Sequence, residues 1–201
     1  VPLILYSSYI YFEQTNIIPS LLPEGVAGFT EFLKGRVALP LSNSLPEFER
    51  VLHHELVHVF MFDHISQVMK RRGLYEHRPA PLWFSEGLAE HWSGEMDPFG
   101  DMILRDALFS GQLASIAQMN QILGTYQMYK EGQSICAYLA RIYGEEIFAR
   151  LLEHWWLAED FDQVYKLGTG QTLAELDEAW LRELRLRYLG DVAQSDPPGK
   201  Q

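Results

Sequence analysis

The segment Ser44-Leu-Pro-Glu-Phe-Glu-Arg-Val-Leu-His-His-Glu-Leu-Val-His58 opens the longest helical pattern in the chain. Ser44-Leu-Pro-Glu47 has the form of a capping box, in which the serine hydroxyl accepts from first-turn amides and the glutamate reaches back to the capping residue. Apolar residues then recur at helical spacing as far as Gly73, and glycine commonly follows the end of a helix. The pattern predicts one long, largely buried helix from about Leu45 to Arg72.

His54-Glu55-Leu56-Val57-His58 places three polar side chains in this otherwise apolar helix. Residues four apart share one face of a helix, so the imidazoles of His54 and His58 can reach the same tetrahedral ion. Glu55 lies about 100° round the helix axis, where its carboxylate can contact a metal-bound water rather than the metal. The spacing predicts a Zn2+ site for metal-assisted hydrolysis, and a chance occurrence of the pattern is the alternative.

Glu86 is the first candidate for the third metal ligand. It lies in Trp83-Phe-Ser-Glu-Gly-Leu-Ala-Glu90, on a separate short helix, and would leave the fourth position of the ion to water. Glu90, one turn later, could accept from the outer nitrogen of a zinc-bound histidine and fix its tautomer. The alternative for both residues is an ordinary solvated acidic stripe, although a glycine between them suggests close packing against another helix.

His64 is the second candidate, because His54, His58 and His64 have the spacing of the metzincin ligands. In metzincins a glycine bends the chain before the third histidine, and here Met61 holds that position. Without the bend the helix continues, and His64 points away from His58. We therefore favour Glu86 and keep the metzincin-like site as an alternative.

Outward from this helix the sequence changes character. On the N-terminal side, β-branched and aromatic residues between prolines and glycines predict strands at Leu3–Phe12, Val26–Phe32 and Arg36–Leu41. On the C-terminal side the expected helices are Phe84–Trp92, Met102–Phe109, Leu113–Leu123, Tyr129–Tyr143, Glu145–Leu157, Phe161–Leu167 and Leu173–Leu189. The predicted fold class is α+β, with a small N-terminal sheet packed on the active-site helix and a mostly helical C-terminal part.

The length of 201 residues suits one globular core. We expect a single domain over 1–193, with the sheet and the long helix at about 1–73 and the helical part at about 80–193. Residues 194–201 contain Asp-Pro-Pro-Gly and are expected to form a flexible tail or linker. The chain opens in strand-like sequence without an initiator Met or a basic leader, which predicts a mature or excised domain.

Composition excludes several classes of function. The 27 acidic residues outnumber the 16 Lys and Arg, for a formal charge of −11, so nucleic acid is not an expected partner. No uninterrupted apolar run reaches the ~18–20 residues that a membrane-spanning helix needs. The single cysteine, Cys136, excludes an internal disulfide and a zinc cluster built from cysteines.

Three clusters make the chain resemble the gluzincin metallopeptidases, the class of thermolysin and the neutral zinc aminopeptidases. They are His54-Glu55-x-x-His58, Trp83-x-x-Glu86-Gly87-x-x-Glu90 and Tyr129-Lys-Glu-Gly132. The sequence looks most like the peptidase-MA-like domains that occur alone or beside Tol-type β-propellers in bacteria. The resemblance implies a zincin-like fold, zinc-dependent cleavage of peptide bonds, Glu55 as general base and acid, Glu86 as third ligand and Tyr129 as donor to the oxyanion.

The resemblance also implies a peptide or protein substrate and a periplasmic or exported location, and it is compatible with an adjacent β-propeller domain in a longer parent chain. The acidic motif by which aminopeptidases bind a free amino terminus is missing, so exopeptidase specificity is not carried over. Arg36–Leu41 is an expected edge strand that could pair with an extended substrate. The competing class is a catalytically silent zincin-fold binding or scaffold domain.

The oxyanion donor stays open at the level of the sequence. Tyr129 is one of ten tyrosines, and Tyr126 lies three residues earlier on the same helical face. His91 and His154 are reserve candidates of the thermolysin kind, and no motif supports either of them.

Overall fold

The structure, a computed structural model, describes residues 1–15, 17, 26–31, 34–76, 78–157 and 160–194. Its strands are β1 (Leu3–Tyr6), β2 (Phe29–Glu31) and β3 (Arg36–Pro40). Its helices are α1 (Tyr9–Glu13), α2 (Leu45–Arg71), α3 (Leu82–Ser93), α4 (Pro98–Ser110), α5 (Tyr126–Tyr143), α6 (Glu146–Glu153), α7 (Phe161–Thr169) and α8 (Leu173–Gln194), with 3-10 helices at Ile116–Ile122 and Trp155–Leu157. The chain is mostly helical with a small three-stranded sheet, which confirms the coarse α+β class.

The prediction that Arg36–Leu41 forms an edge strand is wrong. The sheet has the order β1-β3-β2, so β3 is the central strand, parallel to β1 and antiparallel to β2. Its centre, Val37, Ala38 and Leu39, is buried, because neighbours cover both edges and α2 covers one face. The edge strand next to α2 is instead β2, which begins only at Phe29. Residues 26–28 of the strand expected at Val26–Phe32 are irregular, and Phe32 lies outside the described residues.

The strand expected at Leu3–Phe12 is also wrong in its second half. It ends at Tyr6, and Ser8 then caps the short helix α1 by accepting from the amide of Tyr11. Helical spacing turns Phe12 inward, where its ring is fully buried against Tyr6, Tyr9 and Phe29. Aromatic residues favour strands in general, so only the cap residue signalled the change.

The long helix α2 has nearly its predicted bounds. Ser44 accepts from the amide of Glu47, as a capping residue does. Glu47 does not reach back to Ser44; its carboxylate binds Ser42, whose hydroxyl also accepts from the amide of Ser44. Ser42 thus replaces Glu47 in the second half of the capping box. At the other end Gly73 takes a left-handed conformation with φ of 74°, which ends the helix as expected.

Two segments of the helical part are less regular than the sequence predicts. The helix expected at Leu113–Leu123 is reduced to the 3-10 helix at Ile116–Ile122, because carboxylates of Glu131 and Asp177 bind the amides of Ala114 and Ile116. The helix expected at Glu145–Leu157 ends at Glu153 and continues as a 3-10 turn. Side chains distant in sequence satisfy these backbone groups, and local periodicity does not reveal them.

Helices α3 and α5 form the closest contact in the helical part. A β-carbon built on Gly87 of α3 would overlap the backbone of Gly132 of α5, and one on Gly132 would overlap the carbonyl of Trp83. The two glycines therefore allow the helix backbones to touch, which explains a glycine inside each helix despite its cost of roughly 1 kcal/mol against alanine. This contact brings the first turns of α5 against the site on α3.

The remaining expectations concern the chain ends and the membrane. Gln194 is the last residue of α8, and the tail expected to follow it lies outside the described residues. In the described part of the chain, no helix combines the length and the apolar character needed to cross a membrane.

Candidate metal centre

Three side chains from two helices converge on one point. The Nε2 atoms of His54 and His58 lie 3.2 Å apart, and Glu86 Oε2 lies 3.1 Å from the first and 3.2 Å from the second. His54 and His58 come from one face of α2, and Glu86 comes from the middle of α3. The structure thus brings together the three ligands favoured from the sequence, and this group could hold a metal ion.

The triangle of donor atoms has the size that a tetrahedral ion requires. Metal–ligand bonds of ~2.0–2.1 Å separate the ligands of a tetrahedral zinc by roughly 3.3 Å. Hydrogen bonding alone explains the triangle poorly: when both Nε2 atoms carry a proton and donate to Glu86 Oε2, no hydrogen bond accounts for their own separation of 3.2 Å. Two imidazoles and one carboxylate are also the donor set of catalytic zinc sites that keep a fourth position open.

The charge states within the cluster are set by the mutual contacts of its members. Burial lowers the pKa of His54, but its hydrogen bond to Glu86 and the adjacent Glu90 carboxylate outweigh this effect and raise the pKa to about 9. Burial likewise raises the pKa of Glu86, and hydrogen bonds from His54 and His58 outweigh it and lower the pKa to about 2. Glu86 is therefore an anion at every physiological pH, as a metal ligand must be.

Ser85 is a member of the site that the sequence did not reveal. Its hydroxyl lies 3.2 Å from His58 Nδ1, the ring nitrogen that faces away from the cluster. A partner at this nitrogen fixes both the tautomer and the orientation of a metal-binding histidine. Ser85 directly precedes Glu86, so its position beside the predicted ligand was the available signal.

Glu90 lies beside the other histidine, as predicted. Its Oε1 atom is 3.3 Å from His54 Nδ1, a distance typical of an ion pair. The ring N–H does not point at this oxygen, so Nδ1 has no well-directed hydrogen bond among the described residues. The pKa of Glu90 is lowered to about 2, because the ion-pair contact with His54 and the hydrogen bond from Lys130 outweigh the effect of burial.

Glu55 lies next to the ligand cluster and is itself buried. Thr30, on the edge strand β2, donates its hydroxyl 2.7 Å to Glu55 Oε2 and lies 3.1 Å from the Glu55 carbonyl oxygen. Burial raises the pKa of Glu55, and the Thr30 hydrogen bond and the two histidines partly oppose this. No local sequence signal marked Thr30, which lies 25 residues before Glu55.

Tyr129 and Tyr126 occupy different surroundings. Tyr129 lines the cleft with the three ligands, and its pKa rises to about 12 through burial and the nearby charges of Glu86, Glu90 and Glu55. Among the described residues its hydroxyl has no hydrogen-bond partner. The hydroxyl of Tyr126 donates 3.1 Å to Asp97. Both tyrosines line the cleft, and they differ in that the Tyr126 hydroxyl is bound to Asp97.

The other candidate histidines lie apart from the cluster. Helix α2 continues unbent through Met61, and His64 Nε2 lies 3.2 Å from Glu153. His91 contacts Glu145 at 3.0 Å, and Nδ1 of His154 lies 2.6 Å from the carbonyl oxygen of Arg150. Within the described residues the group able to hold a metal consists of His54, His58 and Glu86, without any of these three histidines.

The cluster opens into a cleft of about 1010 Å³. Residues of α2 from Arg50 to Lys70 form its floor, and β2 and the segment before α3 contribute to its walls. At 1.5 Å per residue this floor is roughly 30 Å long. The cluster of His54, His58 and Glu86 is therefore reachable from outside by a long ligand.

Comparisons with known protein families, with curated proteins and with solved structures find no match for this chain. The chemistry of the site therefore follows from its own side chains. They include three converging side chains that could hold a metal ion, a buried carboxylate beside them, and a tyrosine that lines the same cleft.

Proposed function

We propose that this chain is a zinc-dependent peptide hydrolase with a zincin-like fold of the gluzincin type. The observation that carries the proposal is the triangle of His54, His58 and Glu86 donor atoms, with sides of 3.1–3.2 Å, at the floor of an open cleft. The presence of Glu55 beside it favours catalysis over a purely structural metal site, because a structural site needs only ligands.

Zinc bound by these three residues would supply a water of lowered pKa, near 7, and an electrophilic contact for the scissile carbonyl. Glu55 would take the proton from the attacking water and deliver it to the leaving amine. Thr30 holds the Glu55 carboxylate by a 2.7 Å hydrogen bond and so limits its rotation. Tyr129 would donate its hydroxyl to the developing oxyanion.

The shape of the cleft supports a polymeric substrate. Its volume of about 1010 Å³ lies at the upper end of the ~300–1,000 Å³ typical of small-molecule pockets. A floor of roughly 30 Å would accommodate about nine residues of an extended chain. Edge strand β2 borders this floor and offers backbone groups to which an extended peptide could pair.

Replacement of Glu55 tests the proposed chemistry. Glu55→Gln should retain one Zn2+ per chain, because all three ligands remain, and should lower peptide-library cleavage by at least about 100-fold, the lower range for general acid–base catalysis. Metal content by elemental analysis and cleavage with and without chelator are the measurements. Wild-type protein that binds one zinc but cleaves no peptide would support a scaffold role instead, and full activity of Glu55→Gln would exclude Glu55 as the base.

The tyrosine pair tests the oxyanion assignment. Tyr129→Phe should reduce kcat by about 100-fold with zinc affinity unchanged, since removal of one oxyanion donor costs about 100–1,000-fold. Tyr126→Phe is the comparison variant, because Tyr126 lines the same cleft one helical turn away but donates its hydroxyl to Asp97. A larger loss of kcat in Tyr126→Phe than in Tyr129→Phe would reverse the assignment.

A further inference from the structure

Lys130 is a buried cation that the proposed reaction does not use. It follows Tyr129 on α5, and its side chain is 4% exposed. The Nζ atom lies 2.7 Å from Glu90 Oε2, 2.8 Å from Asp97 Oδ2 and 3.2 Å from Gln133 Oε1. All three ammonium protons therefore have an acceptor, as a buried lysine requires.

These contacts connect Lys130 to a metal ligand through one carboxylate. Glu90 divides its two oxygens, because Oε2 binds Lys130 and Oε1 lies 3.3 Å from His54 Nδ1. Arg50 approaches the same Oε1 only at 3.6 Å and is half exposed. Lys130 thus fixes the orientation of the Glu90 carboxylate by binding the oxygen that does not face His54.

The surrounding helices are shaped to admit the lysine. A β-carbon on Gly100 of α4 would lie 2.8 Å from Cδ of Lys130, so this position needs a glycine for the lysine stem to pass. Asp97 serves twice, since one oxygen caps α4 at the amide of Gly100 and the other binds Lys130. The position of the ammonium group is therefore fixed from α3, α4 and α5 together.

We propose that Lys130 is a positioning residue of the metal centre. It holds Glu90 so that this carboxylate faces His54 Nδ1, and it thereby fixes the ring orientation that presents Nε2 to the ion. The inference rests on the proposed metal site but not on catalysis. Outer partners of metal-binding histidines typically contribute 10–100-fold in metal affinity, and Lys130 acts one contact further out, so we expect an effect of about 10-fold.

Removal of Lys130 should change cation affinity in opposite directions, depending on whether Lys130 acts through its charge or by positioning Glu90. The direction of the change therefore tests the proposed role. The carboxylates whose charges act on His54 are those of Glu86, Glu90 and Glu55. If Lys130 acted only as a nearby positive charge, its removal would strengthen cation binding by reducing repulsion. If Lys130 positions Glu90, its removal weakens binding even though a repulsive charge is lost.

The experiment measures Zn2+ affinity by competition with a chromophoric chelator, and the absorption spectrum of the Co2+-loaded protein. Lys130→Met keeps the length of the stem and removes the charge; it should weaken Zn2+ binding by about 10-fold and alter the Co2+ spectrum. Lys130→Arg keeps the charge but not the geometry and should weaken binding as well. Unchanged or tighter binding by folded Lys130→Met would overturn the proposal.

Two further variants separate positioning from stability. Gly100→Ala displaces the lysine stem while it keeps the charge, so it should also weaken Zn2+ binding and provides the test if Lys130→Met does not fold. Ser134→Ala is the control on the same helix, because it removes the acceptor of Trp180 Nε1 at 3.0 Å, away from the metal centre. It should lower thermal stability with zinc affinity unchanged. Wild-type protein without zinc binding would instead overturn the proposed function itself.

Discussion

Two buried glutamates on touching helices have opposite electrostatic behaviour. Glu86 on α3 lies between two imidazoles, and their hydrogen bonds outweigh burial and lower its pKa to about 2. Glu131 on α5 is fully buried, and burial raises its pKa to about 7. Its Oε1 accepts from the Ala114 amide and from Gln127, whereas its Oε2 has no partner among the described residues.

The difference shows what distinguishes the metal centre from the helical body. Burial disfavours the charged form of both carboxylates, so the surrounding groups decide the sign of each shift. Glu86 faces nitrogen atoms that can carry positive charge, while the charge that acts on the pKa of Glu131 is that of another acid, Asp177. The surroundings of Glu86 are suited to hold a cation. The carboxylate of Glu131 instead binds the backbone amide of Ala114, in the loop after α4.

The largest effect is expected from removal of Glu86. Glu86→Ala should weaken Zn2+ binding by more than about 1,000-fold, beyond the roughly 10–100-fold contributed by outer partners, because one of three ligands is lost. Glu131→Gln is the control, since it neutralises a more deeply buried acid outside the site and should leave zinc affinity unchanged. Isothermal titration or chelator competition measures both. If His64→Ala empties the site and Glu86→Ala does not, the metzincin-like alternative is correct.

The second effect concerns Glu131 and the pH dependence of stability in metal-free protein. The pKa of Glu131 is raised from 4.5 to about 7. Its contribution to the free energy of unfolding is therefore fully present below pH 4.5 and is lost as pH rises towards 7. At 1.4 kcal/mol per pKa unit the loss is about 3 kcal/mol, to order of magnitude.

Glu131→Gln should remove this dependence, so its free energy of unfolding relative to the wild type should rise by about that amount, ~3 kcal/mol, between pH 5 and pH 8. Urea unfolding at the two pH values measures the difference. The same relative free energy at both pH values would show that Glu131 keeps an ordinary pKa, and the contrast with Glu86 would then not hold.

The sequence predicted the parts of the site that depend on local spacing. His54, Glu55 and His58 follow from helical periodicity alone, and the Glu86 motif predicted a partner helix before its contact with α2 was known. The glycine in that motif correctly indicated a close helix contact, which is with Gly132 of α5.

Contacts between distant segments were not predictable in this way. Thr30 reaches Glu55 from a strand 25 residues away, and Lys130 reaches Glu90 across 40 residues. Neither belongs to a periodic pattern, because the partner of a side chain depends on how elements pack. The central position of β3 was missed for the same reason, since a strand sequence does not state which strands will be its neighbours.

The smallest effect on Zn2+ affinity is expected from Ser85. Its hydroxyl contacts His58, one of the two imidazoles that surround Glu86. Ser85→Ala removes the hydroxyl 3.2 Å from His58 Nδ1 and should weaken Zn2+ binding by about 10-fold, the lower end for an outer partner of a metal-binding histidine. Ser66→Ala is the matched control, because Ser66 lines the same cleft on α2 without being among the partners of the cluster. Equal affinities in the two variants would mean that α2 alone orients His58. A selective loss in Ser85→Ala would mean that α3 contributes to the centre twice, through the Glu86 carboxylate as a ligand and through the preceding hydroxyl as a guide for the ring.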